Sequence, residues 1–184
     1  MVAQDTTQML VLVDENDQPL GTMEKMEAHR KALLHRAFSV FLFNSKGEML
    51  LQRRALKKYH SGGLWTNTCC SHPYPGESPQ EAGIRRTKEE MGIDIEVEPA
   101  FSFIYKAALD NELTEYEFDH VLIGQYDGEV YPNEDEVGDY CYKTMDDIRA
   151  GLDSHPGKYT AWFKIAFPML EEHLQAHKKT ADAV

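Results

Sequence analysis

The run Trp65-Thr66-Asn67-Thr68-Cys69-Cys70-Ser71-His72-Pro73 sets a thiol two residues before an imidazole. Cys70 and His72 at that spacing make half of a zinc site, but two ligands do not complete one and no CxxC is present. The competing reading is a buried loop thiol beside a hydrogen-bonded histidine. Glu115 and Glu117 lie in the stretch EYEFDH. Strand alternation puts both carboxylates on one face, with Tyr116 and Phe118 on the other. That face is either open to solvent or aimed at a cation. His29 and His35 are further candidate ligands, of a residue type that is more often plain surface or core.

Two more clusters carry charge. In Arg85-Arg86-Thr87-Lys88-Glu89-Glu90-Met91-Gly92, a helix would put Arg86 with Glu90 and Arg85 with Glu89 on shared faces. This is either a solvated face laced with ion pairs or a carboxylate source for a hard cation such as Mg²⁺, which bridges phosphate oxygens. Arg53, Arg54, Lys57 and Lys58 cluster in QRRALKKYHSGG. They form either a solvated hairpin end or a clamp in which guanidinium grips phosphate bidentately and ammonium acts as a point charge.

The elements that must position these groups read as a mixed series. Residues 9–13 form a buried strand, a turn-rich DENDQPLG follows, and residues 23–34 carry a short helical pattern. Residues 37–44 and 48–54, joined through Gly47, predict a β-hairpin. Residues 57–77 form a long loop of the kind that is usually functional. Ser78 as N-cap, Pro79 at the first turn and Glu81 at the capping-box position start a helix that ends at Gly92. Strands are expected at 93–97, 101–107, 115–126 and 138–143. Helices are expected at 145–152 and 160–177, with Pro168 as a kink or boundary. This order predicts an α+β fold, an α/β/α sandwich, rather than a regular βαβ series. The tail KKTADAV, residues 178–184, is expected to be flexible.

The bulk numbers bound the answer. A chain of 184 residues fits one domain, and 42% hydrophobic with 27% charged residues is ordinary for a globular protein. No apolar run reaches the length of a membrane span, and no basic region precedes the short apolar stretch near the N-terminus. Three cysteines, two of them adjacent, make a poor disulfide framework and fit a reducing cytoplasm. A net charge of −12 excludes a general nucleic-acid binder. An anionic substrate would have to be met locally, by metal ions and a few placed cations.

The segment from Ser71 to Ile93 resembles the Nudix box, with Glu77, Arg85, Glu89 and Glu90 on matching positions when Gly92 is set on its last glycine. Ser71 replaces the first glycine, Arg86 a glutamate and Thr87 an aliphatic residue, so the resemblance implies a Nudix-like mixed sheet flanked by helices with hydrolysis impaired. GLWTNTCCSHP, with ALLHRAFSVFLF before it and YEFDHV after it, resembles the type I isopentenyl-diphosphate isomerases over about residues 20–167. That resemblance implies a metal-dependent isomerase of a small diphosphate, acting as a monomer without membrane or nucleic-acid partners. It implies Cys70, Glu117, Tyr105 and Trp162 as catalytic residues, Cys70 as thiolate, and Cys69 and Cys141 as incidental. It places His29, His35, His72, Glu115 and Glu117 around one divalent ion, Mn²⁺ or Mg²⁺ with Zn²⁺ possible. It gives a second Mg²⁺, bound to the diphosphate, to Glu90 and the Cys70 carbonyl. Arg54, Lys58 and Arg86 become diphosphate contacts. The expected domain has its core at about 33–167, and residues 1–32 bring a metal ligand and a lid. The alternatives are a Nudix pyrophosphohydrolase, which Arg86 counts against, and a metal-stabilised binding domain, which leaves Cys70, Tyr105 and Trp162 unexplained.

Overall fold

The computed structural model describes residues 8–181. In chain order the strands and helices are β1 (Met9–Val13), β2 (Pro19–Glu24), α1 (Lys25–Arg30), β3 (His35–Phe43), β4 (Met49–Arg54), β5 (Trp65–Thr66) and β6 (Cys69–Ser71). Then come α2 (Pro79–Met91), β7 (Glu98–Ala108), β8 (Thr114–Gln125), β9 (Val137–Lys143), α3 (Met145–Ser154) and α4 (Ala161–Ala181). All nine strands join one mixed sheet, with β3 as its hub. β8 pairs parallel to β3 from His35↔Glu117 to Phe43↔Gln125, and β6 pairs antiparallel, setting Ser39 beside Cys70. β7 covers the far edge of β8, while β4 carries β5 and β9.

Each face of the sheet buries its own core. Phe38, Val40, Leu42 and Leu122 turn toward α2, where they meet Ala82 and Met91. Phe41, Met49, Leu51 and Val121 turn the other way, onto Trp162, Phe163 and Phe167 of α4. The result is the expected α/β/α layering. Among the described residues no helix is long and apolar enough to cross a membrane.

α2 begins and ends as its sequence dictates. The Ser78 hydroxyl accepts from the Glu81 N–H while the Glu81 carboxylate accepts from the Ser78 N–H, a complete capping box. Gly92 closes the helix in the left-handed region at φ 68°. A Cβ there would sit 2.2 Å from the Tyr131 carbonyl oxygen. The loop under it is pinned by Tyr131 N–H to Met91 O and Asn133 N–H to Glu90 O. Gly92→Ala therefore carries both a left-handed strain of about 1–2 kcal/mol and an overpacking cost of about 1–3 kcal/mol. Chemical denaturation of the variant is expected to show a loss of at least about 2 kcal/mol, with the end of α2 and Glu90 displaced.

Several expectations are corrected. Residues 93–97 are not a strand: Ile93, Ile95 and Val97 are buried in alternation, but the segment has no ladder partner; it packs by its side chains, and the Val97 carbonyl accepts from the Gln80 amide. The 37–54 hairpin exists only at Phe43↔Met49, because β3 and β4 diverge to other partners. The long loop contains β5 and β6, and the first turn continues into the unforeseen β2. The helical pattern at 23–34 shrinks to Lys25–Arg30. α4 continues through Pro168, which is therefore not a boundary and lies on the exposed side where water can take the orphaned carbonyl. It continues to Ala181, so residues 178–181 of the expected flexible tail are helical, and 182–184 lie outside the described residues.

Candidate active site

Backbone geometry sorts the chemistry-bearing residues onto one side of the sheet. In β8, Glu115, Glu117 and Asp119 are buried at 5, 7 and 0% exposure. Tyr116, Phe118 and His120 alternate toward the other face. The register of β7 brings Tyr105 opposite Glu117, and that of β3 brings His35 opposite Glu117 from the other edge. The same period of two separates the adjacent cysteines. Cys69 points into the α2 core, and Cys70 points to the α4 side and opens onto a cleft.

A pre-assembled donor set lies at the floor of this cleft. One ligand atom from each of His29, His35, His72 and Glu117 falls within 4.8 Å of the others, and all four residues are buried. His29 arrives from α1, whose last turn is buried against the sheet. The rings are fixed by their Nδ1–H groups, which donate to the Lys25 carbonyl from His29 (2.7 Å) and to the Leu33 carbonyl from His35 (2.8 Å). Their Nε2 atoms are then buried lone pairs without a hydrogen-bond partner. Nitrogens of this kind facing a carboxylate fit a divalent cation and are hard to explain otherwise. Glu115, expected as the fifth ligand, instead groups with His29 and His60.

Protons are tightly apportioned. The Tyr105 hydroxyl is 2.6 Å from Glu117 and 2.8 Å from Glu115. One hydroxyl proton serves one carboxylate, so the pair is balanced by a second proton. Burial, then the Glu117 charge, pushes the Glu115 carboxyl well up. Burial works on Glu117 too, but hydrogen bonding, with the His72 N–H donated at 2.9 Å, holds it well below the usual carboxylate range. Burial and the Glu117 charge push Asp119 up to about 8. Cys70 departs from expectation. Burial, then the Asp119 carboxylate, pushes the thiol up, which favours the thiol over the thiolate. Its S–H donates to Asn67 Oδ1 at 2.9 Å, and the sulfur accepts from the Trp162 indole N–H at 3.1 Å.

Burial also pushes His29 down from 6.5 to about 4 and His72 to about 3. These imidazoles are neutral at ordinary pH, as ligands must be. Above pH 6.5 neither the folded nor the unfolded chain protonates them. Below it the unfolded chain takes up protons that the folded one refuses, so stability falls with pH and the loss is complete near pH 4 for His29. At about 1.4 kcal/mol per pH unit, His29 alone removes about 3 kcal/mol. Thermal unfolding of chelator-treated protein is expected to show a distinctly lower Tm at pH 5 than at pH 7.

The cleft wall is cationic. Arg54, Lys58 and Arg86 line it together with Glu90. Arg86 bonds Glu90 at 2.5 Å and Glu89 at 2.6 Å, and Lys58 pairs with Glu136. Arg54 is only 9% exposed, its Nε is unsatisfied, and among the described residues no carboxylate lies within ion-pair distance of it. A buried guanidinium so placed calls for an external anion. Its carbon lies 5.3 Å from the centroid of the Trp162 ring, which closes the cleft from α4.

The structure thus brings every expected residue to one cleft or directly beneath it. Sequence reasoning missed Asn67, Asp119, Lys25 and His60. Asn67 is held by the carbonyls of Val40 and Cys69 and aims its oxygen at Cys70, while Lys25 reaches the cleft from α1. Asp119 continues the alternation of Glu115 and Glu117, a signal that was legible. Nothing local distinguished His60.

The comparisons agree with this geometry. The Nudix domain pattern matches residues 33–163. An isopentenyl-diphosphate Delta-isomerase of Pectobacterium atrosepticum is 50% identical, over 92% of this chain and 94% of its own. One from Photorhabdus laumondii, isopentenyl-diphosphate Delta-isomerase 2, is 52% identical over 85% and 89%. Among solved structures, a Deinococcus radiodurans protein superposes with a TM-score of 0.74 at 20% identity, covering 88% of this chain and 98% of that one. The MutT protein of Methanosarcina mazei gives 0.63 at 22%, covering 79% and 96%. The two structures speak for the fold, and the relatives speak for the family. By half-identity over nearly its whole length, the chain belongs to the isopentenyl-diphosphate Delta-isomerase family, built on a Nudix domain.

Proposed function

We propose that this chain converts isopentenyl diphosphate to dimethylallyl diphosphate by moving a proton on and off the carbon skeleton. The observation that carries this reading is that Cys70 and the Tyr105–Glu117 pair open onto one cleft whose other wall is Arg54, Lys58 and Arg86. An unactivated alkene must gain a proton at its terminal carbon, become a tertiary cation, and lose a proton from the neighbouring carbon. That demands an acid and a base with water kept out. In the resting state the protonated Cys70 is the donor and the Glu117 carboxylate the acceptor, whereas the family resemblance implies Glu117 as donor and the Cys70 thiolate as base; the return reaction exchanges them. One proton leaves sulfur and one reaches Glu117, so the substrate keeps its composition. Asn67 and Trp162 hold the sulfur in place. The indole face stabilises the cation by about 0.5–2 kcal/mol without trapping it.

Arg54, Lys58 and Arg86 grip the diphosphate. His29, His35, His72, Glu115 and Glu117 would hold a Mn²⁺, Mg²⁺ or Zn²⁺ ion, and Glu90 with the Cys70 carbonyl a diphosphate-bound Mg²⁺. When bound, these ions supply positive charge that neutralises the diphosphate and fixes the Glu117 carboxylate. Residues 1–32 act as a lid, which paired structures with and without a substrate analogue would test. A monomer in the cytoplasm completes the reading, supported by three unpaired cysteines. Arg86 stands where the hydrolases of this fold carry a glutamate, and its bonds to Glu89 and Glu90 disfavour hydrolysis.

The test is incubation with isopentenyl diphosphate and Mg²⁺ in D₂O, followed by proton and phosphorus NMR. Dimethylallyl methyl signals, an intact diphosphate and deuterium on the carbon skeleton are expected. Free phosphate without isomerisation would replace this reading by the hydrolase.

A further inference from the structure

The strongest group that the family resemblance leaves unused is His60. It is 2% exposed although it sits in the loop between β4 and β5. Its ring packs edge-on against Tyr59 at 4.4 Å and Trp162 at 5.8 Å. Its carbonyl oxygen accepts from Arg54 at 3.2 Å. The ring is therefore packed between two aromatic neighbours and tied at its backbone, on the side of the cleft that Arg54 and Trp162 form.

The orientation repeats that of His29 and His35. His60 Nδ1 lies 3.1 Å from the Ser61 hydroxyl. With Nδ1–H donated there, Nε2 presents its lone pair to Glu115 Oε1 at 3.6 Å, too far for a hydrogen bond and close enough for two ligands of one ion. His29 and His35 show the same arrangement, Nδ1–H tied to a protein oxygen and Nε2 free. A nitrogen held in this manner by its distal N–H is the usual setting of a metal-ligating histidine. One ligand atom each from His29, His60 and Glu115 falls within 4.8 Å of the others, and the Nε2 of His29 is a fully buried orphan aimed between the two groups.

The geometry points to His60 as a fourth imidazole of the metal centre, beside Glu115 and on the same ion that His29 holds. The inference rests on the metal-dependent reading above. His29 has one free lone pair, so it serves one ion at a time. The group of four and the group of three share His29 and therefore serve a single ion, not two loaded sites. His60, His72, Glu115 and Glu117 line the cleft, and His29 and His35 are fully buried beside them. A centre with four imidazoles favours Zn²⁺ or Co²⁺ over Mg²⁺, because imidazole suits borderline-soft ions and Mg²⁺ prefers oxygen.

The test is metal binding to the chelator-treated full chain, read by Co²⁺ visible absorption and by calorimetric titration with Co²⁺ and Mg²⁺. His60→Gln and His60→Ala are expected to weaken Co²⁺ binding about tenfold or more, to shift its absorption bands, and to change Mg²⁺ binding far less. Circular dichroism confirms folding, and the glutamine variant keeps the test alive should the alanine variant unfold. His35→Ala is the control. Native Co²⁺ affinity and spectrum in His60→Gln, with binding lost in His35→Ala, overturn the role of His60 alone. Native binding in His35→Ala overturns the metal centre and this inference with it.

Discussion

Cys70→Ala is expected to lower turnover of isopentenyl diphosphate by about 10²–10⁴-fold and leave the fold and metal affinity unchanged, while Cys69→Ala does the reverse. The two thiols are adjacent in sequence and on opposite faces of β6. Cys69 is fully buried against Ala82, Met91 and Leu122 in the α2 core, where truncation removes a packed atom and costs about 1 kcal/mol. Cys70 contributes little to packing but carries the proton, donating to Asn67 and accepting from Trp162. Alanine at 70 keeps the backbone carbonyl assigned to Mg²⁺, so a loss of turnover there reports the thiol. Steady-state kinetics and urea denaturation of both variants separate the effects. Equal losses of turnover at the two positions would move the chemistry away from Cys70.

That contrast also shows where sequence reasoning reaches and where it stops. The choice between the cysteines rested on the family resemblance, but the strand period supplies the physical reason, and the same period foretold the shared face of Glu115 and Glu117. α2 was legible because Ser78, Glu81 and Gly92 act within one turn of the chain. Pairing was not. Residues 93–97 alternate like a strand yet find no partner, and the 37–54 hairpin opens because β6, β8 and β9 compete for its edges. The protonation of Cys70 turns on distant neighbours in the same way. Neighbouring cations argued for a thiolate, but burial and the Asp119 carboxylate, supplied by a strand some fifty residues away, outweigh them. His60 lay unread because nothing in KKYHSGG marks it. Only the fold of its loop against α4 and β8 brings it to Glu115.

Glu117→Gln is expected to damage both halves of the site. The carboxylate accepts from His72 at 2.9 Å and Tyr105 at 2.6 Å and faces His35 at 3.6 Å, so a neutral amide keeps the volume and loses the charge. One end of the amide also becomes a donor, and each oxygen of Glu117 already faces a donor, His72 at one and Tyr105 at the other. Affinity for the buried cation should fall about 10–100-fold by analogy with the loss of supporting ligand contacts. Turnover should fall by about 10²–10⁴ from the missing base. Saturating metal separates the two: it refills the centre and restores whatever depends on occupancy, but an amide still cannot accept the substrate proton. The residual loss at saturation, and the absence of deuterium exchange into substrate in D₂O, would assign Glu117 to proton transfer. Recovery of full turnover by added metal would reduce Glu117 to a ligand and leave Glu115, through Tyr105, as the group that takes the proton.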